Sequence, residues 1–242
     1  MKTSYWSNTH TPLYSFIFTI PLFIIYEIGI LTISASSMPL LRNGADVLMR
    51  QILGIFGIYG MYGFSASFLA GFLVAFLRQK NKLKSTEIRG EYLLKMLGES
   101  LFWSVLLWAF LSTLPTFLMS GGKVFLFQQI VLAIGAGIYE EFVFRVILIT
   151  ILAKILKLIF QWNNSAQKTG AVIIAAVLFS LFHFLGDFGD PPDLGLFIIR
   201  FSAGLFLGVI YIFRGFGIAA YTHSIYDLLI MVQITTLSSR GF

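Results

Sequence analysis

Seven ionisable residues stand in otherwise apolar sequence: Glu27, Glu140, Glu141, Arg145, His183, His223 and Asp227. Charges in such surroundings are costly and by default mark function. Helical spacing sorts them. In "YEEFVFR", Glu141 and Arg145 are four apart, so they share a face and can pair, with Glu on the favourable N-terminal side. Glu140 is rotated by about 100° from Glu141 and is left to face something else. Phe179 and His183 in "FSLFH" are four apart, as are His223 and Asp227 in "HSIYD". Glu27 stands by itself and reads as a packing or supporting residue.

A carboxylate beside an imidazole can deprotonate a water held between them, and burial moves a carboxyl group towards useful basicity. A second imidazole can donate a hydrogen bond to a developing oxyanion. That set suffices for metal-free hydrolysis of an amide. Two His and one carboxylate also suit a divalent metal such as zinc, with another carboxylate as base. Glu140, His183, His223 and Asp227 would then be the donors. The H-E-x-x-H zinc motif is absent, and there are no cysteines, which excludes thiolate catalysis and disulfides. The residues alone leave both mechanisms open.

The elements that position these residues must be membrane helices. Of 242 residues, 57% are hydrophobic and 12% are charged, about half the charged share of a soluble domain. Long apolar runs predict an all-α, polytopic transmembrane bundle, and strand-like alternation over about ten residues, the mark of a barrel, is missing. Predicted spans are 13–33, 53–77, 97–119, 125–152, 170–186, 195–213 and 216–237, with an eighth possible at the amphipathic "ILAKILKLIF". The first is too long for a signal-peptide core and reads as a retained span with a kink at Pro21. Gly63, Ser67 and Gly71, and Gly204 and Gly208, have the spacing of close helix packing.

The net charge of +6 reads as positive-inside bias rather than affinity for nucleic acid. With the basic stretch "RQKNKLKSTEIRGEYLLK" in the cytoplasm, 11 of 17 Lys+Arg fall inside, Arg214 among them, and the acidic loop with Asp187, Asp190 and Asp193 falls outside. The expected location is a bacterial cytoplasmic membrane, multi-pass, N-terminus inside. Residues 1–242 read as one domain, with the motifs in 125–237.

Depth ties the motifs together. At about 1.5 Å per residue, Glu140 lies roughly 21 Å from Lys154, His183 roughly 22 Å from Lys168, and Asp227 roughly 20 Å from Arg214. His223 lies within about two turns of that layer. One shared site is therefore expected.

These motifs resemble the CPBP, or abortive-infection, family, whose eukaryotic relatives are the type II CAAX prenyl endopeptidases. E-E-x-x-x-R matches Glu140, Glu141 and Arg145; F-x-x-x-H matches Phe179 and His183; H-x-x-x-N/D matches His223 and Asp227. The resemblance implies an intramembrane endopeptidase of about eight helices acting on a membrane-embedded or lipid-anchored peptide. Glu140 and His183 would activate water. His223 and Asp227 would stabilise the oxyanion or shape the site, with Glu141, Arg145 and Phe179 in support. Prenyl endopeptidases usually carry Asn where this chain has Asp227, and an ionised Asp accepts hydrogen bonds but cannot donate them. The metal-free mechanism is favoured. A proton-coupled transporter or channel and a non-catalytic immunity or scaffold protein are the competing readings.

Overall fold

The computed structural model describes residues 4–33, 69–71, 74, 77, 88–113, 126–185 and 189–239. Every element among them is helical, in accord with the all-α expectation. A short helix α1 (Tyr5–Thr9) leads into α2 (Pro12–Thr32). Thr11 caps α2 by accepting from the Tyr14 amide, and Pro12 occupies the first turn, where no amide partner is needed. The helix continues through Pro21.

Helix α3 (Gly90–Ser112) begins seven residues before the predicted 97. Glu91 and Lys95, counted with the basic loop in the sequence, form an i,i+4 ion pair on its first turns. Next, α4 (Leu126–Gly135), two π-helical segments (Ala136–Glu140 and Phe142–Ile149) and α5 (Thr150–Phe160) follow without a break in helicity. The amphipathic "ILAKILKLIF" therefore prolongs the fourth helix instead of forming an eighth span. Gln161, in the left-handed region at φ 51°, ends it by donating its amide to the Lys157 carbonyl. The Asn163 side chain then caps α6 (Asn164–Phe182), accepting from the Ala166 amide at 2.9 Å. Helices α7 (Leu194–Arg214) and α8 (Phe216–Ser239) complete the set.

Among the described residues, four helices, α2, α3, α6 and α7, are long and apolar enough to cross a membrane. The sequence predicted seven or eight. The second predicted span, 53–77, falls almost wholly outside the described residues, including Gly63 and Ser67. The helical run from Leu126 is divided by its π turns, and α8 is diluted by polar residues.

Helix α8 is the hub, packing on α2, α3, α7 and the first π segment, while α6 packs on α5, α7 and the second π segment. The main core cluster, around Tyr26, Ile138, Tyr139, Phe142 and Phe179, lies directly beside the π segments. Gly204 and Gly208 fulfil the packing expectation. A Cβ on Gly204 would meet Ala176 Cα at 3.1 Å, and one on Gly208 would meet Val172 Cγ1 at 2.8 Å, so α6 and α7 touch through these gaps.

One end of the bundle is fastened by Arg214. The sequence reading made it a loop cation; it is only 3% exposed. Its guanidinium holds both carboxylate oxygens of Glu99, donates to Thr9 Oγ1 at 3.0 Å, and lies 4.0 Å from the Trp6 ring centroid. Tyr5 donates to Glu99 at 2.8 Å; burial, then that hydrogen bond, push its hydroxyl up to about 12. Helices α1, α3 and α7 are thus joined at one polar knot.

Candidate active site

The two π segments carry the first motif. Inserting i→i+5 turns into an α-helix widens it locally and often accompanies functional sites. Glu140 ends one segment, Glu141 separates the two, and Arg145 sits inside the second. Close approach of α8 to this stretch depends on Gly137. A Cβ there would fall 2.0 Å from Ser224 Oγ and 2.5 Å from the Ala220 carbonyl oxygen. Only glycine lets the backbones come near enough for the Glu140–Glu141 turn to reach His223.

Glu141 and Arg145 pair as the spacing predicts, with Nε 3.1 Å from Oε2 and both side chains almost fully buried. The guanidinium carbon lies 4.6 Å from the Phe179 ring centroid, so the aromatic face covers the cation. Glu141 does more than neutralise Arg145. Its Oε1 is 2.9 Å from His223 Nδ1. A carboxylate accepts, so His223 donates through Nδ1–H, and its Nε2 is directed at the cavity.

His183 is held in the same way by a different acceptor. It caps the C-terminus of α6, and its Nδ1 is 2.8 Å from the Phe179 carbonyl oxygen. A carbonyl can only accept, so Nδ1 carries the proton and Nε2 is turned away from the helix. The F-x-x-x-H spacing therefore has two functions: the Phe179 backbone orients His183, and the Phe179 ring packs against Arg145, His183 and His223.

Both free Nε2 atoms converge on Glu140. Glu140 Oε2 is 3.8 Å from His183 Nε2 and 4.0 Å from His223 Nε2. Asp227 Oδ2 is 3.6 Å from His223 Nε2, one helical turn along α8. These separations exceed a direct hydrogen bond and suit a bridging water. Glu140, His183, His223 and Asp227 line a cavity of about 280 Å³, with Arg200, Tyr226 and Gln233 also on its wall. Among the described residues no group of three or more His, Cys, Asp or Glu is gathered closely enough to hold a metal ion.

All the motif residues predicted to share a site are brought together. Glu27 is not in the cavity; it accepts from Tyr139 Oη at 2.6 Å and so anchors the residue immediately before Glu140. Three polar cavity residues were not anticipated. Arg200 pairs with Asp190 and lies 5.4 Å from the Phe184 ring centroid, Gln233 accepts from Trp108 Nε1 at 2.9 Å, and Tyr226 precedes Asp227. Arg200 was readable as a cation inside an apolar helix, six residues past the start of α7. Gln233 and Tyr226 had no signal beyond lying on the His223 helix.

Residues 122–229 match the Rce1-like family. Its description is type II CAAX prenyl endopeptidase Rce1-like, and the matched segment contains Glu140, Glu141, Arg145, Phe179, His183, His223 and Asp227. The resemblance carried by the three motifs is shown by this match. No curated protein and no solved structure matches the chain. Apolar helices of membrane-spanning length together with an Rce1-like segment mark an integral membrane protein.

Proposed function

We propose that the protein is an intramembrane endopeptidase that cleaves a membrane-embedded or lipid-anchored peptide with water activated by Glu140 and His183. The observation that carries this is the placement of Glu140 Oε2 at 3.8 and 4.0 Å from two imidazole nitrogens whose opposite nitrogens are tied down. The Rce1-like match of residues 122–229 supports the same reaction class.

In this reading a water sits between Glu140 and His183. Glu140 takes its proton as the water oxygen bonds to the scissile carbonyl carbon, and the carbonyl π electrons move onto oxygen. Doubly protonated His223 donates Nε2–H to that oxyanion, with Nδ1–H kept on Glu141. Collapse of the tetrahedral species breaks the C–N bond, and Glu140 returns the proton to the leaving amine. Asp227, with Oδ2 3.6 Å from His223 Nε2, balances the charge of the imidazolium; an ionised carboxylate does not serve as an oxyanion donor. The cavity wall formed by Leu196, Ile199, Ala203 and Ile230 suits apolar residues of an unwound peptide.

The deciding experiment uses purified protein in detergent with a fluorogenic lipid-anchored or transmembrane peptide. Wild type cleaves it, and Glu140→Gln, still folded, loses at least about 100-fold. Equal cleavage by the Gln variant overturns the proposal, and substrate flux in proteoliposomes without cleavage points to a transporter instead.

A further inference from the structure

A second cavity, of about 750 Å³, shares no lining residue with the first. It lies between the N-terminal end of α2, α5, the start of α6 and the α7–α8 junction. Its polar rim carries Lys154 and Lys157 from α5 and Lys168 from α6; its floor includes Phe16, Ile149 and Phe216. No Asp or Glu lines it, so the three ammonium groups face it without a carboxylate among the lining side chains. Lys154 and Lys157 are three apart on one helix and project from the same side, and Lys168 faces them from the next helix.

The surroundings indicate which anion belongs there. Just beyond Lys157, Leu158, Ile159 and Phe160 are exposed apolar side chains, and Phe160 stacks on Trp162 at 5.1 Å between ring centroids. Exposed aliphatic residues capped by a Trp are the mark of a bilayer boundary, where the apolar surface meets the headgroup layer. Basic pockets between helices at that level take phosphate headgroups. The apolar floor then continues the ligand inwards, which an inorganic ion cannot use.

We propose that this cavity binds an anionic phospholipid, with the phosphate held by Lys154, Lys157 and Lys168 and the first part of an acyl chain laid on Phe16, Ile149 and Phe216. Lysine supplies compact, strongly hydrated charges suited to phosphate oxygens. The site reaches Val146 and Ile149, on the second π segment, and Glu140 is not among its lining residues.

The test is lipid binding by the full chain in detergent, read by native mass spectrometry with phosphatidylglycerol and phosphatidylcholine of matched chains. Wild type retains phosphatidylglycerol at least about tenfold better, the Lys154→Gln, Lys157→Gln, Lys168→Gln triple variant loses the preference, and the triple Arg variant keeps it. Circular dichroism establishes that each variant is folded; should the triple Gln variant fail, exposed Lys157→Gln alone must weaken retention. Equal retention of the two lipids by wild type, or an unchanged preference in the folded Gln variant, overturns the proposal. So does displacement of the lipid by equimolar inorganic phosphate, which would make the ligand a free ion. None of these readouts involves peptide cleavage, so the result stands apart from that of the Glu140→Gln assay.

Discussion

Glu141 holds His223 through Oε1 at 2.9 Å while its other oxygen faces Arg145 at 3.1 Å. One carboxylate therefore sets both the local charge balance and the direction of an imidazole. The spacing of "YEEFVFR" predicts a structural role for Glu141 and a chemical one for Glu140; the structure gives Glu141 a share in the site.

The two carboxylates are accordingly expected to fail differently. Glu140→Gln leaves the melting temperature in detergent nearly unchanged and removes cleavage. Glu141→Gln lowers both, because a neutral amide leaves Arg145 uncompensated and lets His223 turn. A Glu141→Gln protein with wild-type melting and wild-type cleavage would show that neither contact matters.

Removing Arg145 tests the charge balance directly. Arg145→Met strands Glu141 in the core, and breaking one side of a buried pair costs about 3–5 kcal/mol. Neutralising both with Arg145→Met and Glu141→Gln is expected to recover part of that loss. Denaturant unfolding of the two single variants and the double variant gives the coupling. Strict additivity would mean that the 3.1 Å pair carries no energy.

Much of this arrangement was legible in the sequence. Four-residue spacing identified Glu141–Arg145, Phe179–His183 and His223–Asp227, and counting rise from the flanking cations placed three helices at one depth. Two things were not. The i→i+5 turns that widen 125–152 where the charges sit leave no mark in the spacing of apolar residues, and they lie where α8 packs. The role of Glu99 has no local signal, because its partner, Arg214, is 115 residues away. Periodicity reports which residues share a face, and it carries no record of which distant helix end closes on that face.

Gly137 is the position where the shortest substitution should do the most harm. Its Ala side chain would meet the Ala220 carbonyl oxygen at 2.5 Å, which is backbone and cannot rotate away. Overpacking of this kind costs about 1–3 kcal/mol, and relief requires α8 to move off the π segment, taking His223 with it. Gly137→Ala should therefore lower cleavage far more than stability. Adding Ser224→Ala removes the 2.0 Å clash with Oγ but leaves the carbonyl contact, so it restores little. Full activity in Gly137→Ala would show that the site tolerates separation of the two helices.

Arg214 should prove structural, in contrast to Arg145. It lies at the end of α7, outside the Glu140 cavity, and joins α1, α3 and α7 through Thr9, Glu99 and Trp6. Arg214→Ala leaves the Glu99 carboxylate without its cation and is expected to cost about 3–5 kcal/mol. Arg214→Lys should rescue little, because an ammonium cannot span both carboxylate oxygens and also reach Thr9 as the planar guanidinium does. Under conditions where both variants remain folded, cleavage per folded molecule should match wild type. A selective loss of cleavage in folded Arg214→Lys, with melting unchanged, would instead connect this knot to the chemistry.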